Sequence, residues 1–118
     1  MIPKFRVFDK KYKKIMKVNE INFEKSSVWI ESDSGDHENR HTLTRVFDEV
    51  ILMQSTGLHD EQGVEIFEYS ELDGAYEVIF KDLRYSLRHI QNNNIIDLYD
   101  YWRGKNGEIE VTREYTKV

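Results

Sequence analysis

Short runs in which apolar residues take alternate positions, separated by turn signals, most restrict how this chain can fold. The clearest run is Tyr76, Val78 and Phe80, which after Asp82 continues as an alternating run through Tyr85–Arg88. A period of two places alternate side chains on one face of a strand. Residues 76–88 therefore predict a β-hairpin.

The N-terminal third repeats this pattern. Residues 4–8 alternate, a polar lysine-rich turn follows, and apolar residues return at 15–23. Met16 and Val18 occupy one phase of the pleat and Ile21 and Phe23 the other, so we expect a β-bulge near Asn19. The pattern predicts a hairpin, a continuing strand and a further strand over 27–31.

The remaining segments predict loops, one helix and a last strand. Residues 32–42 are polar and predict a loop, whereas residues 43–53 fit either a helix or a strand. Gly63 suits a turn that needs positive φ. A short helix is predicted over 94–103 from the spacing of its apolar residues, an asparagine N-cap and Gly104 after its end. Residues 109–115 predict a final strand. Together the segments predict a mainly β, β-rich α+β fold: a small barrel or sandwich with an N-terminal hairpin and one or two short helices.

With 118 residues, the chain is expected to form one domain over 1–118. Its predicted regions are a basic hairpin region (1–31), a polar loop (32–42) and an acidic barrel-like region (43–118). The absence of cysteine excludes disulfide scaffolds, cysteine-ligated zinc and thiol catalysis. Neither a long apolar run nor a secretory h-region is present, so we expect a cytoplasmic protein without membrane contact. We also predict no cofactor.

Charge is unevenly distributed along the chain. The formal net charge is -5, yet residues 1–30 carry eight Lys/Arg against three acids, and residues 46–80 carry nine acids and no Lys or Arg. Such a segment is either a solvated face that keeps the protein soluble or a surface directed at a basic partner. The predicted partner-binding acids are Asp48, Glu49, Asp60, Glu61, Glu65, Glu68, Glu71, Asp73 and Glu77.

A basic, aromatic hairpin and one tyrosine are further candidates. Basic residues interleaved with aromatic ones on a β-ribbon can hold a nucleic-acid backbone and stack bases, although lysines at a hairpin tip also protect a sheet edge. Tyr101 is predicted to be exposed beside charged residues and to anchor an interface, whereas Tyr99 and Trp102 are predicted to face the core. The candidate nucleic-acid contacts are Lys10, Lys11, Tyr12, Lys13, Lys14 and Lys17.

The motif His37-Glu38-Asn39-Arg40-His41 has the H-E-x-x-H spacing of zinc proteases. That chemistry needs both histidines on one face of a long helix, with the glutamate as general base. The preceding residues, SDSGD, favour a loop instead. A zinc hydrolase is therefore only a remote alternative, and we predict neither a metal site nor catalytic residues.

Two segments carry a family resemblance. They are the opening MIPKFRVFD, and the run from Val50 to Glu68, in which MQSTGLHDEQGVEIFE resembles a motif of the YopX-like family of small phage and prophage proteins. After Glu68 the chain has Tyr-Ser where the family usually has Gly-Asp, and its C-terminal tail also differs. The resemblance implies a β-rich fold containing an SH3-like barrel and a phage origin, and it carries no established activity. The matching residues are Met53, Gln54, Thr56, Gly57, Leu58, Asp60, Gly63, Ile66, Phe67 and Glu68.

These features lead to one preferred function and one alternative. The preferred function is a non-enzymatic, anti-CRISPR-like inhibitor or modulator that presents its acids to the basic, nucleic-acid-binding groove of a host protein. The alternative is a phage accessory protein that binds nucleic acid directly through Lys10–Lys17. An exposed sheet edge also makes a homodimer a reasonable expectation.

Overall fold

The computed structural model describes residues 4–32 and 41–115 of the chain. Over these residues eleven strands, one α-helix and a 3-10 turn are present. The strands are β1 (Phe5–Asp9), β2 (Lys14–Asn22), β3 (Ser27–Ser32), β4 (His41–Val46), β5 (Val50–His59), β6 (Glu65–Phe67), β7 (Glu71–Leu72), β8 (Tyr76–Lys81), β9 (Arg84–His89), β10 (Ile95–Asp97) and β11 (Val111–Arg113). The helix α1 spans Leu98–Gly104, and the 3-10 turn spans Phe47–Glu49.

The chain divides into two compact units. The first contains the described residues up to Gln54, and the second spans Ser55–Tyr115. In the first unit, neighbouring antiparallel strands follow the order β4-β3-β2-β1, and the initial residues of β5 pair with β1. In the second unit, the later residues of β5 pair with β6, and a separate sheet has the order β10-β9-β8-β7-β11.

The first unit confirms the predicted hairpin and the predicted bulge. Strands β1 and β2 pair with Val7 opposite Met16, both of which are buried. The register between β2 and β3 shifts between Val18 and Glu20. This shift puts apolar residues on both sides of the bulge onto the face that packs the core. The core consists of Val7, Met16, Val28, Ile30 and Val50.

The second unit has its own apolar core. Strands β8 and β9 form the hairpin predicted from residues 76–88, with Val78 opposite Leu87, and both side chains are fully buried. Each such apolar side chain contributes on the order of 1.5–3 kcal/mol relative to exposure. The core consists of Ile66, Leu72, Val78, Leu87, Leu98 and Ile109.

The mainly β class and the short helical segments are confirmed, but the barrel needs correction. The strands lie in two antiparallel sheets and do not close into a barrel. The ambiguous residues 43–53 form the end of β4, the 3-10 turn and the start of β5. The helix begins at Leu98 rather than near residue 94, because Asp97 is its N-cap and accepts a hydrogen bond from the Asp100 N–H.

Candidate binding surfaces

The nine predicted acids are divided between the two units. Asp48 and Glu49 lie in the 3-10 turn of the first unit, where the Glu49 carboxylate accepts the Val46 N–H. The other seven belong to the second unit. Most of those seven interact with groups of their own unit.

Asp60 is buried and organises a turn. One carboxylate oxygen accepts the N–H groups of Gln62 and Val64, at 2.9 and 2.8 Å, and the other accepts the Val111 N–H at 3.0 Å. Burial alone would raise the pKa of Asp60, but these backbone donors outweigh it and hold the pKa below its usual range. This carboxylate, 7 % exposed, joins the turn to β11 and is not available to a partner.

Other residues of the family-like run also have local structural roles. The Thr56 hydroxyl donates to the Ile66 carbonyl oxygen at 2.7 Å and so joins β5 to β6. Gly57 and Gly63 have φ values of 81° and 83°, which side chains other than glycine rarely adopt. The run therefore specifies a strand–turn–strand structure.

Asp73 and Tyr101 form one hydrogen-bonded pair. The Tyr101 hydroxyl donates to one oxygen of Asp73 at 2.6 Å, and the Glu110 N–H donates to the other at 2.9 Å. Burial, followed by the hydrogen bond and charge of Asp73, raises the pKa of Tyr101. Tyr101 is half-buried against the core, whereas Tyr99, which we expected to be buried, is 53 % exposed. The helix face that meets the core therefore carries Leu98, Tyr101 and Trp102, and not Tyr99 as predicted.

Four further acids of this unit interact with other groups of the chain, and one makes no such contact within the described residues. Glu77 forms an ion pair with Arg88, and Glu71 accepts a hydrogen bond from the Thr112 hydroxyl. Glu65 and Glu68 are half-buried and interact with other groups of the chain. Glu61 is exposed, and its side chain makes no hydrogen bond or ion pair within the described residues.

The structure places Glu61 beside two acids that the sequence analysis did not select. Its N–H donates to the Ile109 carbonyl oxygen at 3.0 Å, and Ile109 is flanked by the exposed Glu108 and Glu110. We call Glu61, Glu108 and Glu110 the acidic loop cluster. The sequence shows that Glu108 and Glu110 flank Ile109. It does not show that they lie near Glu61, because that proximity arises from hydrogen bonds between residues about fifty positions apart, including the bond from the Val111 N–H to Asp60.

The lysine hairpin, the candidate nucleic-acid contact, is exposed. Lys10, Lys11, Tyr12, Lys13, Lys14 and Lys17 are all exposed. The Lys10 ammonium donates to the Asp48 carbonyl oxygen and the Lys14 ammonium to the Ser32 hydroxyl, both at 2.9 Å. The ammonium groups of Lys11 and Lys13 make no such contact within the described residues.

A buried aspartate holds this hairpin turn. Asp9 accepts the Tyr12 N–H on one oxygen and the Arg45 Nε–H on the other, both at 3.0 Å. The hydrogen bond to Asp9 raises the pKa of Arg45, which therefore stays charged. The Arg45 guanidinium lies 5.3 Å from the centre of the Tyr12 ring, which is 59 % exposed.

The zinc-protease motif falls mainly outside the described residues. His37 and Glu38 lie in residues 33–40, and His41 begins strand β4. Within residues 4–32 and 41–115, no group of three or more His, Asp or Glu side chains is placed to hold a metal ion. In the same part of the chain, no helix is long and apolar enough to cross a membrane.

Comparison with known proteins identifies the family. No curated protein sequence matches this chain. Its structure is similar to the crystal structure of protein EF1440 from Enterococcus faecalis, with 20 % identity, a TM-score of 0.62, and coverage of 98 % of this chain and 94 % of that chain. At that identity the similarity shows the fold alone. The family model described as YopX protein matches residues 4–111, so this chain belongs to the YopX family.

Proposed function

We propose that this chain is a small, phage-encoded, non-enzymatic binding protein that inhibits or modulates a host nucleic-acid-handling or defence protein, as anti-CRISPR proteins do. Its second unit presents acidic side chains to a groove that normally holds nucleic acid. A carboxylate array can occupy such a groove because the groove is lined with Lys and Arg.

The observation that carries this proposal is the charge of the second unit. Residues 55–115 contain thirteen acids and six Lys or Arg, a net charge of -7, whereas the described part of the first unit has a net charge of +3. Buried Asp60 and paired Glu77 contribute to the field of the second unit without contacting a partner. The acidic loop cluster supplies the contacts themselves.

A capture experiment with matched charge reversals tests the proposal. The tagged protein is incubated with bacterial host lysate, with and without nuclease and over a salt series, and captured proteins are identified by mass spectrometry. The test variant is Glu61→Lys/Glu110→Lys. The matched control is Glu20→Lys/Glu24→Lys, which makes the same charge change at exposed positions of the first unit.

We expect a nuclease-resistant, salt-sensitive capture of one nucleic-acid-handling protein that the test variant loses and the control keeps. Inhibition of that protein's nucleic-acid binding by the wild type, but not by the test variant, completes the assay. Equal capture by both variants, or capture that disappears with nuclease, contradicts the proposal.

The lysine hairpin favours a second candidate, direct binding of nucleic acid. Lys11 and Lys13 have free ammonium groups within the described residues and flank the exposed Tyr12. Cations around an aromatic ring suit a single strand, whose bases stack while its phosphates pair. Direct binding is tested by the fluorescence anisotropy of a labelled 20-nucleotide single strand at low salt. The test variant is Lys11→Glu/Lys13→Glu, and the control variant is Lys25→Glu/Lys105→Glu.

A further inference from the structure

A cleft in the second unit lies between the end of the β8–β9 hairpin and strand β10. Its volume is about 400 Å³, and no residue predicted as a site from the sequence lines it. The lining residues are Lys81, Asp82, Arg84, Ser86, Ile95, Ile96 and Asp97.

The sheet register puts most of these residues on one face. Lys81 lies opposite Arg84 across the hairpin, and Ser86, two residues further along β9, lies opposite Asp97 of β10. Because side chains alternate along a strand, these four share one face of the sheet. The opposite face carries Val78 and Leu87 of the core.

Two cations at one end of the cleft lack an anionic partner. Lys81 and Arg84 are exposed and directly opposed, and neither forms an ion pair within the described residues, even with neighbouring Asp82. Like charges at opposed positions destabilise a hairpin. On the same face, the opposed pair Glu77 and Arg88 has opposite charges and forms a salt bridge. An anion beside Lys81 and Arg84 would supply the missing compensation.

The floor of the cleft contains the hydroxyl group of Ser86. The residue as a whole is 4 % exposed, and its side chain makes no hydrogen bond within the described residues. A serine hydroxyl that lines a cleft can donate a hydrogen bond to an anion bound there. Ser86 and the two cations together match a carboxylate ligand.

The outer edge of β10, which pairs with no other strand of the described residues, forms the other wall. The His89 N–H donates to the Asn94 carbonyl oxygen, so alternation in the antiparallel ladder directs the N–H and C=O of Ile95 away from β9. The exposed Ile95 and Ile96 are 44 % and 37 % accessible, and neither proline nor lysine protects this edge. These features suit the addition of an extended chain.

We propose that this cleft binds an extended, acidic segment of a partner protein. The segment's main chain pairs with Ile95 at the edge of β10, and an apolar side chain covers Ile95. A carboxylate of the same segment contacts Lys81, Arg84 and the Ser86 hydroxyl. This site is distinct from the acidic loop cluster and does not depend on the proposed function.

Synthetic peptides test this inference directly. The probe is a capped seven-residue peptide of alternating glutamate and valine, and its counterparts replace glutamate by lysine or methylate alternate backbone nitrogens. Binding is measured by calorimetry and located from amide shifts of Ser86 and Ile95. Lys81→Gln/Arg84→Gln is the test variant, Lys105→Gln/Arg113→Gln carries the same charge change on exposed cations outside the cleft, and Ser86→Ala probes the hydroxyl.

We expect the glutamate peptide to bind, the test variant to lose about tenfold or more in affinity, and the control variant to bind within about twofold of wild type. The lysine and N-methylated peptides should not bind. Absence of binding, or equal binding by both charge variants, overturns the proposal. Competition by inorganic phosphate or AMP together with undiminished binding of the N-methylated peptide also overturns it, because the cleft is then a small-anion site.

Discussion

Asp9 in the first unit and Asp60 in the second are both buried carboxylates beside a turn, but their partners differ. Asp9 receives a guanidinium and one backbone N–H, whereas Asp60 receives three backbone N–H groups. In the first unit the negative charge is neutralised locally by Arg45. In the second unit, the negative charge of Asp60 is stabilised by backbone N–H groups, which carry no net charge. The carboxylate therefore still adds to the unit's net charge of -7.

The comparison shows how an acidic unit can bury a carboxylate without placing a Lys or Arg side chain against it. Backbone N–H groups can supply all the hydrogen bonds that a buried carboxylate in a turn needs, so no Lys or Arg side chain is required beside it. The unit therefore keeps a strong negative field together with a well-packed core. The basic unit, in contrast, uses one of its nine described cations to bury a carboxylate.

The substitution Asp9→Ala is expected to cause the largest loss of stability among the changes that test this comparison. The change leaves the Arg45 guanidinium, whose side chain is 13 % exposed, without its anion and removes the acceptor of the Tyr12 N–H. We expect a loss of about 3–5 kcal/mol in unfolding free energy. Asp48→Ala, which removes an exposed carboxylate from the same unit, should change stability by less than about 0.5 kcal/mol.

The two tryptophans can assign this loss to a unit. Trp29 lies in β3 of the first unit, and Trp102 lies in α1 of the second, where its Nε1–H donates to the His59 carbonyl oxygen. With both replaced by 5-fluorotryptophan, fluorine NMR during urea titration follows each unit separately. Asp9→Ala should lower the Trp29 midpoint more than the Trp102 midpoint, and equal shifts would contradict this.

A smaller loss in the other unit is expected from Asp60→Asn. One oxygen of Asp60 accepts Gln62 and Val64 and the other accepts Val111, so either amide orientation turns an NH₂ group towards a backbone N–H. We expect a loss of about 2–4 kcal/mol, reported mainly by Trp102. Glu61→Gln, with the same loss of charge on the exposed neighbour, is the control and should leave the midpoint unchanged.

Acid titration sharpens the comparison. The pKa of Asp60 is lowered in the folded state, so its stabilisation is complete above the unfolded pKa of about 3.9 and is lost as pH falls through the folded pKa. The difference in unfolding free energy between wild type and Asp60→Asn should therefore shrink between about pH 4 and pH 2. A difference that stays constant to pH 2 would show that the carboxylate charge contributes nothing.

Sequence reasoning recovered the local structure better than the sites. The hairpin over 76–88 and the bulge near Asn19 could be predicted from the alternation of apolar residues. There, each strand pairs with a strand that is its neighbour in the sequence. Helix α1 was predicted too early, since Asn93 adopts φ 61° in a turn and Ile95 joins β10 by pairing with Arg88.

The acids show why the sites were harder to predict. Nothing adjacent to Asp60 in the sequence reveals that Val111, 51 residues away, donates to its carboxylate. The pairing of Asp73 with Tyr101 likewise spans 28 residues. A count of acids along the chain cannot separate such structural carboxylates from exposed ones, because the distinction arises only when distant strands pair.

The hairpin tips of the two units extend the comparison and give the smallest predicted effect. In the first unit, Lys13 has φ 57°, and its turn is held by hydrogen bonds to the carboxylate and the carbonyl oxygen of Asp9. In the second, Asp82 and Leu83 have φ values of 53° and 65°, no side chain of the described residues anchors the turn, and Leu83 is 91 % exposed. Two positive φ angles are what a type I′ turn requires, and Asn-Gly suits them best.

Asp82→Asn/Leu83→Gly is therefore expected to stabilise the second unit by about 0.5–1 kcal/mol, measured as an increase in the Trp102 midpoint. The control Asp82→Asn/Leu83→Ala removes the same exposed apolar surface but keeps a side chain at positive φ, so it should give no such gain. A gain from the alanine variant as large as that from glycine would assign the effect to exposed leucine rather than to backbone strain. A gain from glycine alone would mean that the chain keeps Leu83 at a cost in stability, next to the two uncompensated cations of the cleft.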